Sequence, residues 1–232
     1  MKLIGMIGGL SWESTAEYYR VINQGAQAKL GGVHSARSLI HSLDFGVIEA
    51  MQHKGDWTGA TASMIEAARS LEQGGADFIL ICSNTMHRMA AEIEAAVGIP
   101  LLHIADPTGA AITAAGFKRI GLLGTAFTME QDFYRARLQE RFALEVLTPT
   151  AADRQTVHEI IYQELVKGIV REPSREAYRG VIARLIQRGV EAIILGCTEI
   201  MLLVAETDSA VPLFDTTTLH AEAALEFALV SD

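Results

Sequence analysis

The chain has 232 residues, half hydrophobic and a fifth charged, a composition that builds one large or two small globular cores and excludes a disordered chain. A net charge of −9 with no basic run argues against a nucleic-acid partner or an anionic membrane surface. Two cysteines make no disulfide framework, "MKLIGMIGGL" does not read as a signal peptide, and no apolar stretch nears the roughly 20 residues of a membrane span, so a reducing, cytoplasmic setting is expected.

Short apolar runs alternate with longer amphipathic ones. The first half reads as strands near 2–8, 37–43, 77–83 and 100–103, with helices over 13–29, 57–74, 86–97 and 106–115. The second half reads as strands near 118–124, 144–148, 191–197 and 212–214, with helices over 129–141, 152–168, 174–188 and 218–230. Apolar strands of this length between helices predict an α/β fold with mainly parallel, buried sheets.

The halves echo each other. "IGMIGG" at 4–9 recurs as "IGLLGT" at 120–125, an offset of 116. "QGGADFILICSNT" at 73–85 recurs as "QRGVEAIILGCTE" at 187–199, an offset of 114, and "GIPLLHIAD" at 98–106 as "AVPLFDTT" at 210–217, an offset of 112. Three matches in order predict two similar three-layer α/β domains, 1–99 plus 215–232 and 100–214, related by a pseudo-twofold. Ligands bind at the carboxyl ends of parallel strands, so the active site is expected in a cleft between the two domains.

Several chemistries lack their signatures. No G-x-G-x-x-G or G-x-x-x-x-G-K-[ST] occurs, His158-Glu159 lacks the second histidine of a zincin helix, and nothing completes a metal site around Cys82 and His87. None of Lys2, Lys29, Lys54, Lys118 and Lys167 sits in a recognisable Schiff-base loop. "GGLSWEST" at 8–15 is a strand-to-helix turn that either binds an anion or is simply capped by Ser11.

Cys197 ends an apolar strand behind Gly196, before Thr198 and Glu199. Backbone N–H groups at a helix start there would lower its pKa toward neutrality and make it a base; an inert core thiol is the alternative. The 114 offset pairs Cys82 with Gly196 and Ser83 with Cys197. Neighbouring strand residues point to opposite faces, so Ser83 is expected to face the cleft and Cys82 the core. Asn84 and Thr85, just past the strand, suit a carboxylate or cap the next helix.

"IGMIGGLSWESTAEYYRVIN", "CSNTMH", "LHIAD", "GLLGTAFTMEQDFYRARL" and "GCTEI" together resemble the pyridoxal-independent aspartate/glutamate racemases, in particular their L-specific branch, over essentially the whole chain. The resemblance implies a cofactor-independent racemase of L-aspartate and L-glutamate, a homodimer, whose substrate's α-carbon is flanked by two proton-transferring side chains. It carries Cys197 over as the main base and Ser83 as its partner. The family's first cysteine directly precedes Asn-Thr, whereas here Ser83 stands in that place. Leu10, Gln52, Ser83, Asn84, Thr85 and Thr198 are then the expected substrate contacts, and Lys54 and Lys167 lie near segments that hold the side-chain carboxylate in some members. A hydroxyl is a poorer base than a thiol, so the direction that uses Ser83 as base is expected to be slow. The rival readings are a single-thiol decarboxylase or isomerase of the same fold, and a non-catalytic ligand-binding protein.

Overall fold

The structure, a computed structural model, describes residues 1–230. Among the described residues, 1–104 and 220–230 form one compact unit, and residues 105–219 form the other.

The first unit runs β1 (Ile4–Gly8), α1 (Trp12–Leu30), β2 (Ser38–Ser42), α2 (Phe45–Lys54), α3 (Trp57–Gln73), β3 (Phe78–Ile81), a 3-10 turn (Thr85–Met89), α4 (Ala90–Ala96) and β4 (Leu101–Leu102). Its sheet is wholly parallel, in the order β2-β1-β3-β4. One face, with Ile7, Ile79 and Ile81, packs on Ala60, Met64, Ala67 and Leu71 of α3. The other, with Ile4, Met6, Phe78, Leu80 and Cys82, packs on Tyr18 and Ile22 of α1 and on Ala221, Ala224 and Ala228 near the C-terminus. Both faces are therefore covered, which is why these strands read as continuous apolar runs.

The second unit runs α5 (Ala105–Ala114), β5 (Arg119–Gly124), α6 (Ala126–Glu130), α7 (Asp132–Phe142), β6 (Glu145–Leu147), α8 (Ala151–Gln163), α9 (Glu172–Gln187), β7 (Ala192–Gly196), α10 (Ile200–Leu203), β8 (Leu213–Asp215) and α11 (Thr216–Leu229), whose later turns belong to the first unit. Its sheet is also parallel, in the order β6-β5-β7-β8.

The two sheets share one topology, and their registers obey the sequence offsets. Ile4 pairs with Phe78; shifted by 116 and 114, these become Ile120 and Ala192, which also pair. Ile79 pairs with Leu101; shifted by 114 and 112, these become Ile193 and Leu213, again a pair. The echo is therefore a repeat of a folded unit and not a coincidence among Ile, Leu and Gly.

Three helical details differ from expectation. The α2 helix lies where no element was expected, capped by Asp44, which accepts from the Gly46 N–H, and closed by left-handed Gly55. It buries Ile48 and Gln52, too little for a visible apolar period. The stretch expected as one helix over 129–141 is two, α6 and α7, broken at extended Gln131. The 86–97 stretch opens as a 3-10 turn before α4.

At the end of β1, Gly9 has φ +72°, and a Cβ there would lie 2.0 Å from the Leu43 carbonyl. Only glycine lets this turn close against β2. No helix among the described residues is long and apolar enough to cross a membrane.

Candidate active site

Both central strands end where chemistry was expected. In the second unit β5 and β7 finish on paired glycines, Gly124 and Gly196. A Cβ on Gly124 would stand 2.7 Å from the Gly196 carbonyl, and one on Gly196 would meet Leu122 Cδ1 at 2.7 Å. The strand tips thus run close together, and the first side chain beyond β7 is Cys197.

Cys197 is 8 % exposed, and its carbonyl accepts from the Ile200 N–H at 3.1 Å as α10 begins. Its Sγ–H donates to Glu199 Oε2 at 2.9 Å, and Thr198 Oγ1 donates to the same oxygen at 2.9 Å. Thr198 and Glu199 are themselves buried. Burial pushes the Cys197 thiol well above its ordinary pKa, reinforced by the negative charge of Glu199 and by the hydrogen bond to it. The backbone N–H groups of Glu199 and Thr198 pull the other way and lose.

This corrects the expectation that helix-start amides bring Cys197 toward neutrality. The α10 helix spans four residues, too short for much dipole, while desolvation and a buried carboxylate act directly on the sulfur. Cys197 Sγ thus faces a buried carboxylate that accepts its hydrogen bond. Glu199 is not among the expected site residues, because what brings it to Cys197 is the orientation of its side chain.

A third acidic group stands in the same surroundings. Tyr178 on α9 is fully buried and its hydroxyl has no hydrogen-bond partner. Burial raises its pKa, followed by the charges of Cys197 and Glu199. An unmet buried hydroxyl costs about 1–3 kcal/mol. Tyr178→Phe is therefore expected to hold or raise stability, by up to about 1 kcal/mol, as read from denaturant midpoints at unchanged slope.

In the first unit β3 gives way to a tight turn. The Cys82 N–H donates to the Ile7 carbonyl at 2.9 Å and the Ser83 N–H to the Ile81 carbonyl at 2.8 Å. The Cys82 side chain is 0 % exposed, in the core with Tyr18 and Leu80, and burial raises its pKa far above the ordinary thiol range. Ser83 is half-buried, and Asn84 and Thr85 are buried beside it. Leu10 belongs to the core with Ile48 and Met86, so only its backbone is left to meet a ligand. The Gln52 side-chain amide, also buried, donates to Met86 Sδ at 3.1 Å.

Leu10, Gln52, Ser83, Asn84 and Thr85 thus belong to the first unit, and Cys197 and Thr198 to the second. The "GGLSWEST" turn uses its hydroxyls internally. Ser11 caps α1 by accepting from the Ser14 N–H, Ser14 Oγ donates to the Cys82 carbonyl, and Thr15 Oγ1 accepts from the Gly9 N–H.

Two parallel four-stranded sheets with surrounding helices give an α/β fold like that of glutamate and aspartate racemases. The pattern that defines the Asp/Glu/hydantoin racemases matches residues 7–224, and the chain belongs to that family, whose members are isomerases acting on amino-acid substrates. A candidate Asp/Glu racemase from Yersinia pestis is 55 % identical with a TM-score of 0.91, over 99 % of this chain and 100 % of that one. An aspartate racemase homologue from Pyrococcus horikoshii OT3 is 33 % identical with a TM-score of 0.83, over 98 % and 99 % of the two chains. The broad specificity amino-acid racemase RacX of Bacillus subtilis strain 168 is 23 % identical over 229 residues, 95 % of each chain.

Proposed function

We propose that this protein racemises acidic amino acids, L-aspartate and L-glutamate, without a cofactor, with Cys197 as the main base and Ser83 working on the opposite face of the α-carbon. The observation that carries the reading is the Cys197–Glu199 hydrogen bond at the end of β7, at the repeat position equivalent to Ser83. Membership of the racemase family supports the reaction class; the resemblance implies a homodimer, and two cysteines without a disulfide framework suit a cytoplasmic setting.

Glu199 Oε2 takes the thiol proton, and the resulting thiolate takes the α-proton of the L-enantiomer. Charge then grows on the substrate carboxylate, where buried polar groups such as Asn84, Thr85 and Thr198 can meet it. Ser83 Oγ–H delivers a proton to the other face and recovers one from water, while Cys197, reprotonated by the α-proton, is a thiol again and Glu199 releases to solvent the proton it took at the start.

Two enantiomers have equal free energies in water, so kcat/KM must be the same in both directions. The inequality of thiol and hydroxyl therefore shows in kcat, with KM moving in proportion. A larger kcat from L-aspartate or L-glutamate than from the D-forms is expected in a racemisation screen over both enantiomers, and Ser83→Cys should draw the two kcat values together. Equal kcat values in the wild type would overturn the unequal pair. The one-thiol geometry also suits decarboxylation of a malonate, so the screen includes phenylmalonate. Carbon dioxide release from it, with no amino acid turned over, would replace the racemase reading.

A further inference from the structure

The loop that carries Ser83 is held by one imidazole. His87 is 2 % exposed; its Nδ1 lies 2.7 Å from the Ser83 carbonyl oxygen, and the Ile104 N–H donates to its Nε2 at 3.2 Å. A carbonyl can only accept and a backbone amide can only donate. The ring is therefore neutral, with its proton on Nδ1 and pointed at Ser83. Its centroid is 4.5 Å from that of His103 and 5.7 Å from that of His220. His220 is pinned in turn: it accepts from the Tyr18 hydroxyl at Nδ1, 2.8 Å, and donates from Nε2 to the Leu102 carbonyl, 2.8 Å. Walled in this way, His87 has little freedom to turn.

The repeat shows what is particular about this arrangement. The carbonyl of Cys197 is satisfied by a backbone N–H, that of Ile200 three residues on. The equivalent carbonyl of Ser83 takes a side-chain N–H, from His87 four residues on. With its N–H bound to Ile81 and its C=O bound to His87, Ser83 has both backbone groups fixed and only χ1 left to aim Oγ.

We propose that His87 is a positioning residue for proton transfer, acting through the Ser83 carbonyl to hold Oγ at the reacting face. This rests on Ser83 being the partner of Cys197, as proposed above. The same histidine also satisfies the polar groups of a buried turn, and the two roles separate in one measurement. Deuterium enters the α-position of unreacted L-substrate by the half-reaction on the Cys197 face, whereas formation of the D-enantiomer also needs Ser83.

The full-length protein and its Ser83→Ala, His87→Ala and His87→Asn variants are incubated with L-glutamate and with L-aspartate in D2O, and inversion and exchange without inversion are followed by NMR. Ser83→Ala and His87→Ala are both expected to lower the ratio of inversion to exchange by between about 10- and 100-fold, the scale of a misplaced reacting group. His87→Asn, whose amide N–H stands near the place of Nδ1, is expected to restore most of it. Should His87→Ala not fold, His87→Gln replaces it, since its longer amide meets the Ile104 N–H and drops the Ser83 bond; the same fall is expected. A histidine that serves packing alone would lower both rates alike and leave the ratio unchanged, and that result overturns the proposal. An unchanged ratio in Ser83→Ala instead overturns the role of Ser83 itself, whatever the His87 variants do.

Discussion

Cys197→Ala is expected to abolish racemisation in both directions, and Cys82→Ala to leave it largely intact. The two thiols sit in different surroundings: one follows β7 and donates to a buried carboxylate, while the other fills the core between β3 and α1. On the proposed mechanism, loss of the first removes the group that exchanges protons with the α-carbon, a loss of about 1,000-fold or more. Loss of the second removes one sulfur atom from a packed core and costs about 1 kcal/mol of stability. The measurement is initial rates by circular dichroism together with denaturant midpoints for both variants. Activity that survives Cys197→Ala within tenfold, or dies with Cys82→Ala at preserved stability, would contradict the assignment.

The core thiol also leaves a mark on pH dependence. Burial raises the Cys82 pKa in the folded state, so the folded chain keeps a proton that the unfolded chain releases above about pH 8.5. The stabilisation is fully present below that pH and is lost as pH rises above it. Cys82→Ala should therefore flatten the alkaline fall in stability relative to the wild type.

The strands were legible because both faces of each sheet are covered, so "IGMIG" and "AIILG" carry no polar alternation to blur them. The repeat was legible for a stronger reason: its offsets are those of the paired registers, and a sheet with one buried pattern cannot slip by a residue without turning every side chain over. The same symmetry separates Ser83, equivalent to Cys197, from Cys82, which lies in the core. The α2 helix was hidden because it buries too few residues to leave a period. The acidity of Cys197 was misjudged for a different reason. Local amides can be read along the chain, but the desolvation that outweighs them comes from tertiary packing around the strand end. Glu199 escaped notice because its importance lies in a side-chain orientation, back toward the sulfur, which spacing alone does not state.

Glu199→Gln tests that orientation by setting two consequences against each other. The amide keeps the size of the side chain and an oxygen that can accept from Cys197 Sγ and Thr198 Oγ1, but it cannot take the thiol's proton. Racemisation should fall by about 100- to 10,000-fold, the usual weight of a general base. The thiol itself should become more acidic. Of the three influences that raise its pKa, burial stays, the negative charge goes, and the charged hydrogen bond becomes a neutral one; the opposing backbone amides remain. More thiolate at a given pH means faster alkylation by iodoacetamide, and Cys82, at 0 % exposure, does not compete for the reagent. The expected result is therefore a slower racemase with a more reactive cysteine, whose remaining activity climbs as pH rises and solvent takes over as the acceptor. Alkylation that slows along with racemisation would show that Glu199 merely holds the loop, because a displaced Cys197 loses both properties together.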